Sequence, residues 1–351
     1  MDYPPSSHHL FIGGIVLLKV FGRQFHPGEK SYFTLDGPTL CNRASVKLPV
    51  IVLCGGAEGP TLWLNGAVHG DEINGSYASW QLIRDLNPRE VRGNVIATPV
   101  ANLAAFLDQR KVSFLDDLDM DTQFPGDAEG MITQRLAKII YDGVREAATH
   151  LISFHTISKM YDAHPYTVAK LVPDADATVN RTAVELAKAF GVQANCIVNL
   201  SDASGELPGV TSGALDITCI KDGIPAFMGE IGHGGIADPA MIRIAVQGIK
   251  NVMKTLGMLD GSPVLQTSRQ YKILRRKFVR IDDGGVLDMN VKPGDIVHKG
   301  DSLGELHYFN DRPVPYPAPC DAYVIAVRTY PAINTGDRVA FLGLKWEDYC
   351  N

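Results

Sequence analysis

Between residues 46 and 259 the chain alternates short apolar runs with longer stretches whose apolar positions recur at helical spacing. The apolar runs at 50–54, 62–67, 94–100, 151–155, 196–199 and 226–230 predict strands. Helical periods predict helices over 74–86, 131–148, 177–190, 214–222 and 239–256. Strands and helices in alternation are the sequence form of an α/β fold, a sheet covered by helices. Asp238-Pro239 marks the entry of the last helix: a carboxylate that can cap free N–H groups, then the residue best tolerated in the first helical position.

After Gly261 the pattern changes to short strands punctuated by Gly, Pro and Asp, with almost no helical period through Leu344. Here Val291-Lys292-Pro293-Gly294-Asp295-Ile296-Val297 and Asn334-Thr335-Gly336-Asp337-Arg338-Val339 read as two copies of one turn, which predicts a small pseudo-symmetric β-barrel or sandwich. With 351 residues the chain exceeds the length at which a single core usually stops growing. The expected division is a β-rich segment over 1–45, a main domain over 46–261 and a small β domain over 262–351. The apolar stretch 10–18 is too short to span a bilayer and runs into Lys19 and Arg23, so it reads as a strand.

Composition narrows the function classes. The net charge is −6 with no long block of one sign, which excludes nucleic acid as an expected partner. With no membrane span and no basic leader ahead of an apolar core, the expected location is the cytoplasm. Six scattered cysteines without a C-x-x-C pair fit reduced thiols, none of them a metal ligand.

The chemistry is concentrated at strand ends. His69-Gly70-Asp71-Glu72 directly follows one predicted strand and precedes a helix, on the kind of loop where open α/β sheets collect their ligands. An imidazole and a carboxylate three residues apart can converge on one Zn²⁺. A catalytic zinc needs a third protein ligand, and His155, closing the run Leu151-Ile152-Ser153-Phe154, is the candidate. Glu230 ends the run Pro225-Ala226-Phe227-Met228-Gly229 and suits the base, since a carboxyl in a water-poor pocket has a raised proton affinity. Each of these residues alone reads as an ordinary polar group near a strand end. Together they fall at the carboxyl ends of separate strands, which favours a site. A structural zinc would lean on Cys instead.

His69-Gly70-Asp71-Glu72, Phe124-Pro125-Gly126, Phe154-His155-Thr156 and Gly229-Glu230-Ile231-Gly232 resemble the succinylglutamate desuccinylase and aspartoacylase family, relatives of the zinc carboxypeptidases. The resemblance runs from about residue 46 to the end and is strong toward the branch holding N-acetyl-diaminobutyrate deacetylases. It implies a zinc-carboxypeptidase-like three-layer αβα sandwich with a mixed sheet, one Zn²⁺ per chain, and hydrolysis of a small-molecule N-acyl amide. It also implies a homo-oligomer, dimer or tetramer. Carried over by position, His69, Glu72 and His155 hold the metal and Glu230 is the general base.

Departures from the family pattern carry information too. Where the family has Asp-Leu-Asn-Arg, this chain has Asp119-Met120-Asp121-Thr122. The Asn and Arg that grip a substrate carboxylate in relatives are thus Asp121 and Thr122, and threonine cannot make a guanidinium's paired bonds. The expected substrate is therefore not a simple acidic N-acyl amino acid, and Asp121 is expected to meet an amine, amide or hydroxyl. The arginine that polarises the scissile carbonyl is Arg110 or Lys111. The family's Asp two residues before the third ligand is Ser153, which removes a support for the site. Asn102 and His233 are further candidates for the substrate pocket, while Asp116, Asp117, Asp119 and His164 read as solvated. In the C-terminal domain no Lys sits at Asp288-Met289-Asn290, where a lipoyl or biotinyl barrel would carry one, so that domain reads as a lid, specificity wall or assembly surface. A metallocarboxypeptidase and a non-catalytic binding relative are the alternatives.

Overall fold

The computed structural model describes residues 10–12, 15–202, 212–309 and 312–349. Strands β1 (Leu10–Ile12), β2 (Ile15–Val20) and β3 (Arg23–Phe25) form a small antiparallel sheet. The apolar stretch expected to be one strand is thus a hairpin, with Leu10 opposite Leu17. The main sheet begins with β4 (Lys30–Thr39), β5 (Ser45–Cys54), β6 (Ala57–Asn65), β7 (Arg92–Thr98) and β8 (His150–Ile157). After the short β9 (Tyr161–Ala163) come β10 (Tyr166–Leu171), β11 (Ala194–Asn199) and β12 (Ala226–His233). Their spatial order is β4-β5-β7-β6-β8-β12-β10-β11. The pairs β6/β7, β6/β8, β8/β12 and β10/β11 are parallel and the others antiparallel, so the sheet is mixed.

Alternation along the strands divides the core into two layers. On β6, Leu62 and Leu64 face one apolar cluster and Trp63 the other, all fully buried. Helices α1 (Asn74–Asp85), α4 (Ala177–Ala189) and α6 (Pro239–Thr255) cover the first face through Leu82, Leu186 and Ile249. The second face is covered by α3 (Ile132–Ala147) and α5 (Leu215–Lys221), through Leu136, Ile140 and Ile217, and the short α2 (Leu103–Asp108) lies beside the site loops. The result is a three-layer αβα sandwich. As expected, Asp238 caps α6, accepting from Ala240 N at 2.7 Å, with Pro239 in the first turn.

The C-terminal strands are β13 (Tyr271–Arg280), β14 (Gly285–Met289), β15 (Ile296–Val297), β16 (Ser302–His307), β17 (Val314–Pro317), β18 (Ala322–Arg328), β19 (Ala332–Ile333) and β20 (Arg338–Asp348). Strand β13 pairs in parallel with β11, so the main sheet runs on into this region as β13-β20-β18-β15. The others form a four-stranded antiparallel sheet, and Leu303 from it packs with Val324 and Leu342 of the extended sheet. No barrel closes among the described residues. Among the described residues the Gly-Asp turn occurs three times: Asp295, Asp301 and Asp337 accept from the N–H three residues back at 2.9, 2.8 and 2.9 Å. Each is preceded by a glycine at φ near +90°, a conformation that disfavours other residues.

Candidate active site

Two loops and two strands bring the site together. The loop after β6 carries His69 and Glu72, and it is entered through Ala67 at φ +46°, a strained value for a residue with a Cβ. Gly70 fits because a Cβ there would lie 1.8 Å from the Ala105 carbonyl oxygen of α2. Gly75, in the first turn of α1, lets that helix sit against the Phe154 ring of β8. Asn74 joins the loop to β12: its Nδ2 donates to Ile231 O at 2.9 Å, and its Oδ1 accepts from Asp238 N at 2.9 Å. On the strands, Glu230 of β12 lies directly beside His155 of β8 in the parallel register.

The donor atoms of His69, Glu72 and His155 all lie within 4.8 Å of one another. His69 Nδ1 is 2.9 Å from Glu72 Oε1 and His155 Nδ1 is 3.0 Å from Glu72 Oε2. Outer contacts hold both rings: His69 Nε2 is 3.1 Å from Asp119 Oδ1 and His155 Nε2 is 3.2 Å from Ser153 Oγ. Ser153 therefore still supports His155, contrary to the loss expected from the missing Asp. Asp119 is likewise no solvated loop acid. It bridges His69 and Lys111, the latter at 2.9 Å.

Electrostatics follow from this packing. Burial opposes ionisation of Glu72, yet His69 and His155 hold its pKa down to about 2. Burial also works against charge on His69, but Glu72 and Asp119 outweigh it and raise its pKa well above the ordinary value. The pocket thus draws positive charge to a point between two imidazoles and a carboxylate. That donor chemistry fits zinc, which takes His nitrogen and carboxylate oxygen in catalytic sites. Glu230 is pushed up by burial, with His155 pulling the other way, and its Oε2 is buried without a hydrogen-bond partner.

A cleft of about 520 Å³ opens over these groups. Of the sequence candidates it is lined by His69, Glu72, Lys111, Asp121, Thr122, His155 and Glu230. Asp121 is 9% exposed, accepts from Leu215 N at 3.4 Å, and has its pKa raised by burial. Three candidates do not reach the cleft lining. Arg110 turns to Asp108, Asn102 is a fully buried cap accepting from Ala105 N, and His233 folds back on Gly234 O. His164 is exposed, as expected. Asp116 is not solvated: it caps α3, accepting from Thr133 N and Oγ1 at 2.7 Å each.

The sequence reading missed Lys170 and Arg276. Lys170, 4% exposed on β10, donates to the fully buried Asp216 at 2.8 Å. Arg276 is delivered from β13. Five described cysteines are free thiols, and none belongs to the metal-type cluster. No helix among the described residues is long and apolar enough to cross a membrane.

Comparisons with known proteins show the family of the chain. A family model described as the succinylglutamate desuccinylase/aspartoacylase catalytic domain matches residues 58–256. The chain is 29% identical over 307 residues to the N-alpha-acetyl-L-2,4-diaminobutyric acid deacetylase of Halomonas elongata, covering 85% of this chain and 86% of that one. Among solved structures it is similar to a succinylglutamate desuccinylase/aspartoacylase from Rhodobacter sphaeroides, with TM-score 0.77, 26% identity, and coverage of 92% of this chain and 96% of that one. It is also similar to the product-bound ectoine utilization protein EutE (DoeB) of Ruegeria pomeroyi, with TM-score 0.77, 26% identity, and coverage of 90% and 95%. The chain belongs to the succinylglutamate desuccinylase/aspartoacylase family, and is an enzyme of that family acting on carbon–nitrogen amide bonds other than peptide bonds.

Proposed function

We propose that the chain removes the acyl group from a small N-acylated amino acid, using one zinc ion held by His69, Glu72 and His155. The observation that carries this reading is the convergence of those donors within 4.8 Å beside Glu230, a buried carboxyl with an unpartnered oxygen. When bound, zinc supplies Lewis acidity toward the acyl carbonyl and toward water. Glu230 takes the proton from the attacking water and hands it to the departing amine nitrogen, a task that suits a carboxyl whose proton affinity is raised. Asp119 fixes the tautomer and orientation of His69 through Nε2. In this reading Lys111 polarises the carbonyl, which its position in the cleft lining supports, while Arg110 turns to Asp108.

The acyl amino acid we favour carries an amine besides its amide, as the substrate named for the Halomonas relative does. Asp121 supports this, a buried carboxyl where relatives keep an amide side chain. Turnover of N-acetyl-L-2,4-diaminobutyrate, set against N-acetylaspartate and succinylglutamate, tests the choice: the first should be hydrolysed well and the acidic pair poorly. Glu230→Gln should lower kcat by ~10²- to 10⁴-fold while zinc content stays unchanged. Efficient turnover by that variant would remove Glu230 from the mechanism.

A further inference from the structure

The cations around the cleft differ in what balances them. Lys111 is paired with Asp119 at 2.9 Å and Lys170 with Asp216 at 2.8 Å. Arg338 is half-buried, its guanidinium over the Phe278 ring at 4.7 Å. Arg276 stands apart. It is 6% exposed, no carboxylate lies within ion-pair distance of it among the described residues, and its Nε has no hydrogen-bond partner. Around it stand the Phe341 ring, with its centroid 5.4 Å away, the Cys196 thiol, whose pKa burial raises, and farther off the Glu230 carboxyl, close enough to feel the guanidinium charge but not to pair with it. A guanidinium cannot escape burial by losing its proton, so its charge stays in the cleft wall without a direct ion-pair partner, and a ligand anion would supply one.

The backbone aims this side chain deliberately. On β13, Tyr271 and Ile273 point into the core, and strict alternation would send Arg275 inward and Arg276 out to solvent. The register against β20 slips between Ile273 and Arg275 and again between Arg275 and Arg276. Arg275 is consequently exposed and Arg276 buried in the cleft wall. Bulges that re-aim a side chain are common beside ligand sites. Opposite Arg276 stands Gly343, so no side chain on the paired strand crowds it.

We propose that Arg276 is the residue that anchors a carboxylate of the substrate, the role that Thr122 cannot fill. This rests on the amide-hydrolase reading and deepens it by naming the side chain of this chain that would hold the carboxylate of an N-acyl amino acid. The planar guanidinium offers parallel N–H donors that match a carboxylate, whereas Asp119 and Asp121 elsewhere in the cleft repel one. The cleft thus sorts the two ends of a zwitterion, anion toward β13 and amine toward Asp121.

The test pairs each carboxylate with its primary amide. Turnover is measured for N-acetyl-L-2,4-diaminobutyrate and its carboxamide, and calorimetric binding for L-2,4-diaminobutyrate and its carboxamide. The zinc-loaded wild type, Arg276→Gln and Arg276→Lys are compared. We expect the wild type to prefer the carboxylate form by ~10²-fold in kcat/KM and in Kd, and Arg276→Gln to reduce that preference to within about threefold, chiefly through KM. The amide forms should change by less than about threefold, which also shows that the variant is folded. Equal losses on both forms, or a preference that survives in Arg276→Gln, overturn the proposal. Should the glutamine variant be insoluble, Arg276→Lys decides, because a single ammonium cannot make the paired bonds and should cost about tenfold in preference. If the wild type hydrolyses neither compound, the amide-hydrolase reading fails for this substrate. The calorimetric pair still judges Arg276: a carboxylate preference lost in Arg276→Gln sustains the anchor, and its absence from the wild type overturns it.

Discussion

At the scale of single residues, the site depends on what stands behind each of the three donors. Asp119 touches His69 on the nitrogen that faces away from Glu72, so it sets the ring's tautomer and basicity. Asp119→Ala should weaken zinc affinity by ~10- to 100-fold in a chelator competition, and an unchanged affinity would show that Asp119 serves only Lys111. His150, at the start of β8, makes a different prediction. It is 1% exposed, and burial lowers its pKa to about 4. As pH falls below the unfolded value of 6.5, the unfolded imidazole takes up a proton that the folded one refuses until about 4. Stability is therefore complete above that upper value and is lost across this window, by roughly 2 kcal/mol between pH 7 and 5. Chemical denaturation at those two pH values should show a smaller decline in His150→Gln than in the wild type. An equal decline would assign the acid sensitivity to other groups. His69, Glu72, His155 and Glu230 could be read from the sequence because each follows or ends an apolar run. Asp119, Lys170 and Arg276 could not: an acid in Asp116-Asp117-Leu118-Asp119, a lone strand lysine and an arginine in Arg275-Arg276-Lys277 all read as solvated charges. Only tertiary contacts distinguish them.

At the scale of elements, apolar periodicity located the long helices and most central strands because their burial is one-sided or complete. The strand Tyr166–Leu171 escaped because it is short and its last residue but one is a lysine whose partner, Asp216, lies in a distant helix. The bulge in Tyr271–Arg280 escaped as well, since a register slip against Arg338–Asp348 leaves no mark in one strand's own sequence. The loop carrying His69 owes its path to close packing on the helix Leu103–Asp108. A methyl group at Gly70 would meet the Ala105 carbonyl at 1.8 Å, and that backbone cannot yield without moving His69 and Glu72. Gly70→Ala should thus destabilise by roughly 2 kcal/mol or more and also release zinc more readily, both measurable by denaturation with and without added metal. Wild-type stability and zinc retention in this variant would mean that the loop has room the packing denies.

At the scale of the whole molecule, the change of pattern after Gly261 is real but does not interrupt the sheet. Strand Tyr271–Arg280 pairs with Ala194–Asn199, and through it the C-terminal strands bring Arg276, Phe278, Arg338 and Phe341 to the cleft. That join was illegible in the sequence, because parallel pairing between segments 77 residues apart depends on the fold and not on local pattern. The cleft is therefore composite: metal-type donors from the sandwich, a buried guanidinium from the appended strands. The proposed chemistry requires the three donors to act as one metal site, and metal analysis of the purified protein, wild type and His155→Ala, joined to activity before and after chelation, tests that most directly. The expected result is one zinc per wild-type chain, activity lost on chelation and restored by zinc, and neither metal nor activity in His155→Ala. Full turnover by metal-free wild-type protein, or stoichiometric zinc retained in His155→Ala, would contradict it.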